Sequence, residues 1–173
     1  MRLPMRVKLE KVASRDATRP VLTHAFLRVD GERATLEACD SYKLARIPVE
    51  LEAGDEEGFV PVEALTTARK ARAESVSVNG SVDIPGGPSF PRPELGQFPN
   101  AVQLFPDGEV AFAVGVNAKF LHELAQGLGS ETVRLEFVKV GDEPSALRPI
   151  VVRPIGGDAP EADGLLMPVR LAS

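Results

Sequence analysis

One order of elements recurs three times along the chain, a short strand-like run, a helix and a return to strands, at spacings of about fifty residues. Such a repeat constrains folding more than any single motif, because one copy cannot bury its apolar face alone. In the first cycle the spacing predicts a helix over 5–14, with Met5, Leu9, Val12 and Ala13 on one face. Strands follow at 21–29 and 33–38 around the tight-turn pair Asp30-Gly31, and again at 44–51. An acidic linker (Glu50, Glu52, Asp55, Glu56, Glu57) ends at Gly58. The second cycle has a short strand at Phe59-Val60, a helix over 62–73 opened by Pro61, and a hairpin of 75–78 with 81–84 around Asn79-Gly80. Residues 85–99 are rich in proline and glycine and are expected to form an ordered loop rather than sheet. The third cycle has a strand at 109–114, a helix capped by Asn117 and ended by Gly129, and strands at 133–140, 147–153 and 165–170. Phe120, Leu121, Leu124, Ala125 and Leu128 give that helix its apolar stripe. Helices set against antiparallel strands indicate an α+β fold, not a doubly wound sheet.

Composition removes several alternatives. The chain has 173 residues, 43% apolar and 26% charged, which is globular and sufficient to bury a core without cross-links. No apolar run is long enough for a bilayer, and Arg2, Pro4, Arg6, Lys8 and Lys11 interrupt any secretory leader, so a cytoplasmic protein without membrane partners is expected. The lone Cys39 excludes an internal disulfide, and with only His24 and His122 beside it no metal or cofactor is expected. A nucleophilic reading of Cys39 with Asp40 and a histidine, or of Ser41-Tyr42-Lys43, lacks the supporting groups, so the chain is not read as an enzyme.

Net charge is −5, yet the distribution is uneven. Arg2, Arg6, Lys8, Lys11, Arg15 and Arg19 face only Glu10 and Asp16 in the first nineteen residues, and Arg69, Lys70 and Arg72 gather near the second helix. Basic residues concentrated in predicted helices of an acidic chain suggest a use for that field, although a solvated helix face gives the same pattern.

Three stretches carry a family resemblance. Thr18-Arg19-Pro20-Val21-Leu22 precedes Ala38-Cys39-Asp40-Ser41-Tyr42-Lys43-Leu44-Ala45; Gln97-Phe98-Pro99-Asn100 ends the proline-rich segment; Leu166-Met167-Pro168-Val169-Arg170-Leu171 lies close to the last residue. In this order they resemble the bacterial sliding clamp, the β subunit of DNA polymerase III. The resemblance implies a DNA-clamp fold of repeated βαβββ motifs, about three of them here. Residues 1–105 would be a complete clamp-like domain similar to the clamp's middle domain, and 106–173 the second half of its last domain.

The same resemblance implies a pocket for linear motifs of DNA polymerases and repair proteins. Its walls would be Leu22, Cys39, Ser41, Tyr42, Lys43 and Leu44 on one side. Pro99, Gln103 and Leu104, with Leu166, Met167, Pro168, Val169, Arg170 and Leu171, would form the other, which requires the last strand to meet the first hairpin. Apolar walls and the adaptable Met167 suit aromatic or leucine anchors, and two anchors plus backbone hydrogen bonds, less the ordering cost, suggest roughly micromolar affinity. Arg6, Lys8, Lys11, Arg15, Arg69, Lys70 and Arg72 would face double-stranded DNA. A half domain deprived of its twin would leave Leu121, Leu124, Leu128 and neighbouring strands uncovered, which predicts a homo-oligomer: a dimer, or a tetrameric ring carrying the family's number of motifs. The implied function is that of a replication or repair accessory, a processivity factor associating with DNA. The alternative is a non-encircling adaptor, competitor or regulator that pairs with a full-length clamp.

Overall fold

Alternation along four strands sends two different sets of side chains to the two faces of one sheet. β1 (Ala25–Asp30), β2 (Arg33–Cys39), β3 (Leu44–Val49) and β4 (Gly58–Val60) pair antiparallel in the order β3-β2-β1-β4. Ala25, Leu27 and Val29, then Ala34, Leu36 and Ala38, then Ala45, Ile47 and Val49, enter one core. The residues between them face the other way, where Phe26, Cys39, Leu44 and Phe59 gather around Phe98. This is the period-2 consequence of a pleated strand, realised on both faces at once. The structure, a computed structural model, describes residues 1–3, 6–138, 148–156 and 161–170. It divides into two compact units, Met1–Pro106 and Asp107–Ser173.

In the first unit the main core is closed by α1 (Val62–Ala71), which buries Ala64, Leu65 and Ala68. Pro61 stands at its N-cap, and Arg72, in the left-handed region at φ 56°, ends it by donating its N–H to the carbonyls of Ala68 and Arg69. A second sheet, β5 (Ser77–Val78), β6 (Ser81–Asp83) and β7 (Ser89–Pro91), adds Val78 and Val82. β7 corrects the expectation that 85–99 is loop throughout. It lies at the sheet's edge, with Pro91 as its last residue opposite Ser81, and there a missing N–H leaves no ladder bond unmade.

The predicted helix over 5–14 is also corrected. Met5 lies outside the described residues, and the rest forms only a single 3-10 turn, Leu9–Lys11, with no side-chain cap. Leu9 and Ala13 are buried and Val12 half-buried, so the apolar stripe was real. Length and the missing side-chain cap do not decide this, since α1 is a ten-residue helix without one; the flanking backbone does. Neighbouring backbone instead bonds outward: Leu3 N–H to the Glu74 carbonyl and Ser14 N–H to the Leu22 carbonyl. The basic residues of this segment therefore do not lie on an α-helix, Lys11 alone falling in the 3-10 turn.

The acidic linker closes tightly at Gly58. Its φ is 140°, and a Cβ there would fall 2.4 Å from the Arg92 guanidinium. Arg92 in turn donates to the carbonyls of Phe59 (2.9 Å), Asn79 (2.6 Å) and Glu56 (3.1 Å), tying the proline-rich segment to β4 and the β5–β6 hairpin. Gly58→Ala should lose about 1–3 kcal/mol from backbone strain alone, with more from displacing Arg92. Urea unfolding of Gly58→Ala beside Gly54→Ala, a positive-φ glycine with open space around it, isolates the steric part.

The second unit is a helix on three strands. α3 (Ala118–Gly127) is capped by Asn117, whose Oδ1 accepts the Lys119 N–H at 3.0 Å, and Gly129 at φ 70° follows it. β8 (Val133–Glu136), β9 (Ile150–Pro154) and β10 (Gly164–Leu166) pair antiparallel in the order β10-β9-β8. The predicted ends at Val140 and Leu147 lie outside the described residues. Leu128, Ile150, Val152 and Leu166 are buried, with Leu121, Leu124, Val133 and Leu135 packed against them. This corrects the expectation that Leu121, Leu124 and Leu128 are left uncovered: the helix lays its stripe on its own strands. The predicted strand at 109–114 is absent. Val110 and Phe112 are exposed, and only Gly115 of this segment forms a bridge, to Val169.

Candidate peptide-binding site

The outer face of the first sheet determines what surrounds its free end. Phe98 is buried at 3% exposure, stacked on Phe26 at 5.2 Å between centroids and edge-on to Phe59 at 6.2 Å. Next to it, Arg28 pairs with the fully buried Glu37 (3.3 Å) and donates to the Pro99 carbonyl at 3.4 Å. Thr35 Oγ1 donates to the same carboxylate at 3.1 Å. A buried charge is tolerable only when paired in this way. Phe98 and Pro99 are thus held down beside the β2–β3 turn.

The chain then enters a four-residue helix that the sequence reading missed, α2 (Ala101–Leu104), with Asn100 Oδ1 accepting the Val102 N–H at 3.1 Å. The signal was an asparagine cap directly after a proline, too short a pattern to show helical periodicity. Phe105 follows, with the Arg46 guanidinium 4.5 Å from its ring centre, and this contact anchors the end of α2 over β3.

The turn 40–43 supplies the opposite wall. Asp40 Oδ1 accepts the N–H groups of Tyr42 and Lys43, both at 3.0 Å, and its other oxygen pairs with the Lys43 ammonium. The Lys43 side chain, then these backbone donors, hold the Asp40 carboxyl below the usual carboxylate range. Ser41 is in the left-handed region at φ 82°, and its Oγ accepts from Arg19 at 2.7 Å. This fixed turn leaves Tyr42 97% exposed, an aromatic ring standing at the rim.

Between these walls lies a groove of about 230 Å³ lined by Leu22, Cys39, Ser41, Tyr42, Lys43, Leu44, Pro99 and Leu104. Leu104 is exposed and Leu22 and Leu44 half-buried, so apolar surface faces solvent in a concave site. Gln103 is exposed but does not line the groove. Of the carboxyl-terminal residues, Leu166 is buried in the second unit's own core, Met167 and Val169 are exposed, Pro168 is half-buried and Arg170 is exposed. Leu171 lies outside the described residues. Cys39 is 5% exposed, and burial pushes its thiol above the usual range. Iodoacetamide at neutral pH should therefore modify it about a hundredfold more slowly than in urea, with the native rate rising as pH is raised.

The basic residues separate into distinct settings. Arg69 pairs with Glu10 at 2.7 Å. Arg6, Lys8, Lys70 and Arg72 are exposed. Lys11 and Arg15 line a second cleft with Arg19 and Lys43, which shares Tyr42 with the groove. Among the described residues no cluster of three or more possible metal ligands occurs, and no helix is long and apolar enough to cross a membrane.

A four-stranded sheet with one face on a helix and the other on an ordered loop, followed by a helix on three strands, is the fold of the DNA sliding clamps. The chain is similar to the β subunit of a DNA polymerase from Streptococcus pyogenes (TM-score 0.70, 16% identity, 96% of this chain and 47% of that one). It is also similar to a DNA polymerase sliding clamp from Bacillus subtilis (0.64, 16%, 95% and 46%). A third likeness is to a sliding clamp, DNA polymerase III subunit β, from Bartonella birtlesii, bound to griselimycin (0.66, 14%, 95% and 47%). The chain spans about half the length of these solved clamps. No family model matches the chain, and no curated protein does.

Proposed function

We propose that this chain is a non-enzymatic accessory protein of DNA replication or repair that uses a shortened clamp fold to hold linear peptide segments of polymerases and repair proteins. The observation that carries this reading is the convergence of Leu22, the turn 39–44 and the segment 99–104 on one solvent-facing apolar groove. In this reading the first unit corresponds to the clamp's middle domain and the second to half of its last.

Each anchor buried in the groove contributes about 1.5–3 kcal/mol, so two supply about 3–6 kcal/mol; backbone hydrogen bonds add to this and peptide ordering subtracts from it, which places the affinity between roughly micromolar and millimolar. Anisotropy titration of a labelled peptide carrying leucine and phenylalanine anchors tests it: saturable binding near that range supports the reading, and none up to about 1 mM removes it. The resemblance also assigns Met167 and its neighbours to the site. Met167→Glu tests that assignment, since unchanged affinity would confine the site to the first unit.

The proposal includes contact with duplex DNA through the exposed Arg6, Lys8, Lys70 and Arg72. Such contact weakens steeply with salt, and retention on nicked circular but not linear DNA would separate encirclement from simple adhesion. It includes self-association of the second unit as well. β8 is an edge strand, and Phe112 and Phe137, 5.4 Å apart, are both exposed. Light scattering at micromolar concentration should give a dimer or larger species; a monomer would favour the adaptor reading, in which a full-length clamp is the partner.

A further inference from the structure

Tyr42 and Lys43 line both the apolar groove and a charged cleft. The cleft, about 460 Å³, is lined by Lys11, Arg15, Arg19 and Lys43 against two acids, Asp16 and Asp40. Both acids are committed to their own turns. Asp16 Oδ1 accepts from the Thr18 N–H (2.9 Å) and hydroxyl (2.7 Å), and Asp40 holds the turn described above. Lys43 is paired with Asp40 and Arg19 donates to Ser41, whereas the side chains of Lys11 and Arg15 make no hydrogen bond or ion pair among the described residues. The cleft therefore presents uncommitted positive charge to a guest, next to an apolar site that shares Tyr42 and Lys43 with it.

We propose that the segment recognised by this chain is a linear peptide with acidic residues flanking its apolar anchors: the anchors fill the groove, and the flank crosses Tyr42 to set its carboxylates against Lys11 and Arg15. This rests on the groove reading and adds the chemical class of the partner. Charge complementarity carries it, because a neutral flank would leave two cations unpaired where an acidic one pairs them. Exposed pairs contribute little singly, so the selectivity comes from two or three acting together and is screened by salt.

The test titrates the full chain with fluorescein-labelled Gly-Leu-Ser-Leu-Phe-Gly extended by Asp-Glu-Asp at either end, or by the neutral Asn-Gln-Asn. One acidic extension should bind about tenfold tighter than its neutral counterpart at low salt, with the advantage lost near 0.5 M salt. Lys11→Glu with Arg15→Glu should abolish the advantage and leave the neutral peptide's affinity unchanged, which also shows that the double variant is folded. Equal affinity of acidic and neutral peptides overturns this proposal while leaving the groove reading intact. A short DNA duplex that displaces the acidic peptide but not the neutral one also overturns it, since the cleft would then serve nucleic acid. No binding of any peptide removes both.

Discussion

Replacing Arg28 with alanine should destabilise the protein by about 3–5 kcal/mol, the cost of leaving a buried carboxylate without its partner. Glu37 is fully buried, and Arg28 supplies its guanidinium contacts at 3.3 Å. The same side chain lies 5.0 Å from the centre of the Phe26 ring and reaches the Pro99 carbonyl, so one substitution releases both the charge and the loop. Urea unfolding should show a lower midpoint at nearly unchanged slope. Exchange of amide hydrogens from Phe98 to Phe105 should quicken before global unfolding. Arg28→Met with Glu37→Leu should recover most of the loss, because an apolar pair of similar volume avoids the uncompensated charge. If Arg28→Ala alone were neutral, the pair would not be what holds the groove's outer wall.

Leu104→Asp should weaken binding of an anchor-bearing peptide by about 10–100-fold while leaving the unfolding free energy within about 0.5 kcal/mol of the parent's. The asymmetry follows from its position: Leu104 is 63% exposed, so the fold does not need it, yet it lines the groove. Tyr42→Ala should behave alike with a smaller loss, since the exposed ring is held by a turn whose bonds come from backbone and Asp40, not from the phenol. Loss of binding in both variants, larger for Leu104→Asp, without loss of stability distinguishes a recognition surface from a core.

The alternating strands and the two long helices were legible because their periods repeat over enough residues to outweigh local ambiguity: Phe26 and Leu27 could only face opposite ways, and Asn117 announced α3. What escaped was decided by partners distant in sequence. Leu9, Val12 and Ala13 carry helical spacing, but only one turn forms once flanking backbone bonds to Glu74 and Leu22. Val110 and Phe112 alternate like a strand yet stay exposed, with only Gly115 of that segment bridging, to Val169. Pro91 ends a strand because it sits at an edge. At the site, the word around Phe98 pointed to a wall of the groove, but its reason, an aromatic cluster with a buried Arg28–Glu37 pair beneath it, depends on strands some seventy residues earlier. The separation of Lys11 and Arg15 from the other basic residues likewise appears only when the turn at Tyr42 is placed.

The most direct measurement of the central claim is light-induced cross-linking of a leucine-anchored peptide in which benzophenone replaces the phenylalanine ring, mapped by mass spectrometry on the full chain. Adducts are expected on Leu22, on the turn from Cys39 to Leu44 and on Pro99 to Leu104, suppressed by excess unlabelled peptide and by Leu104→Asp. Competed adducts confined to other surfaces, or none at saturating peptide, would contradict it.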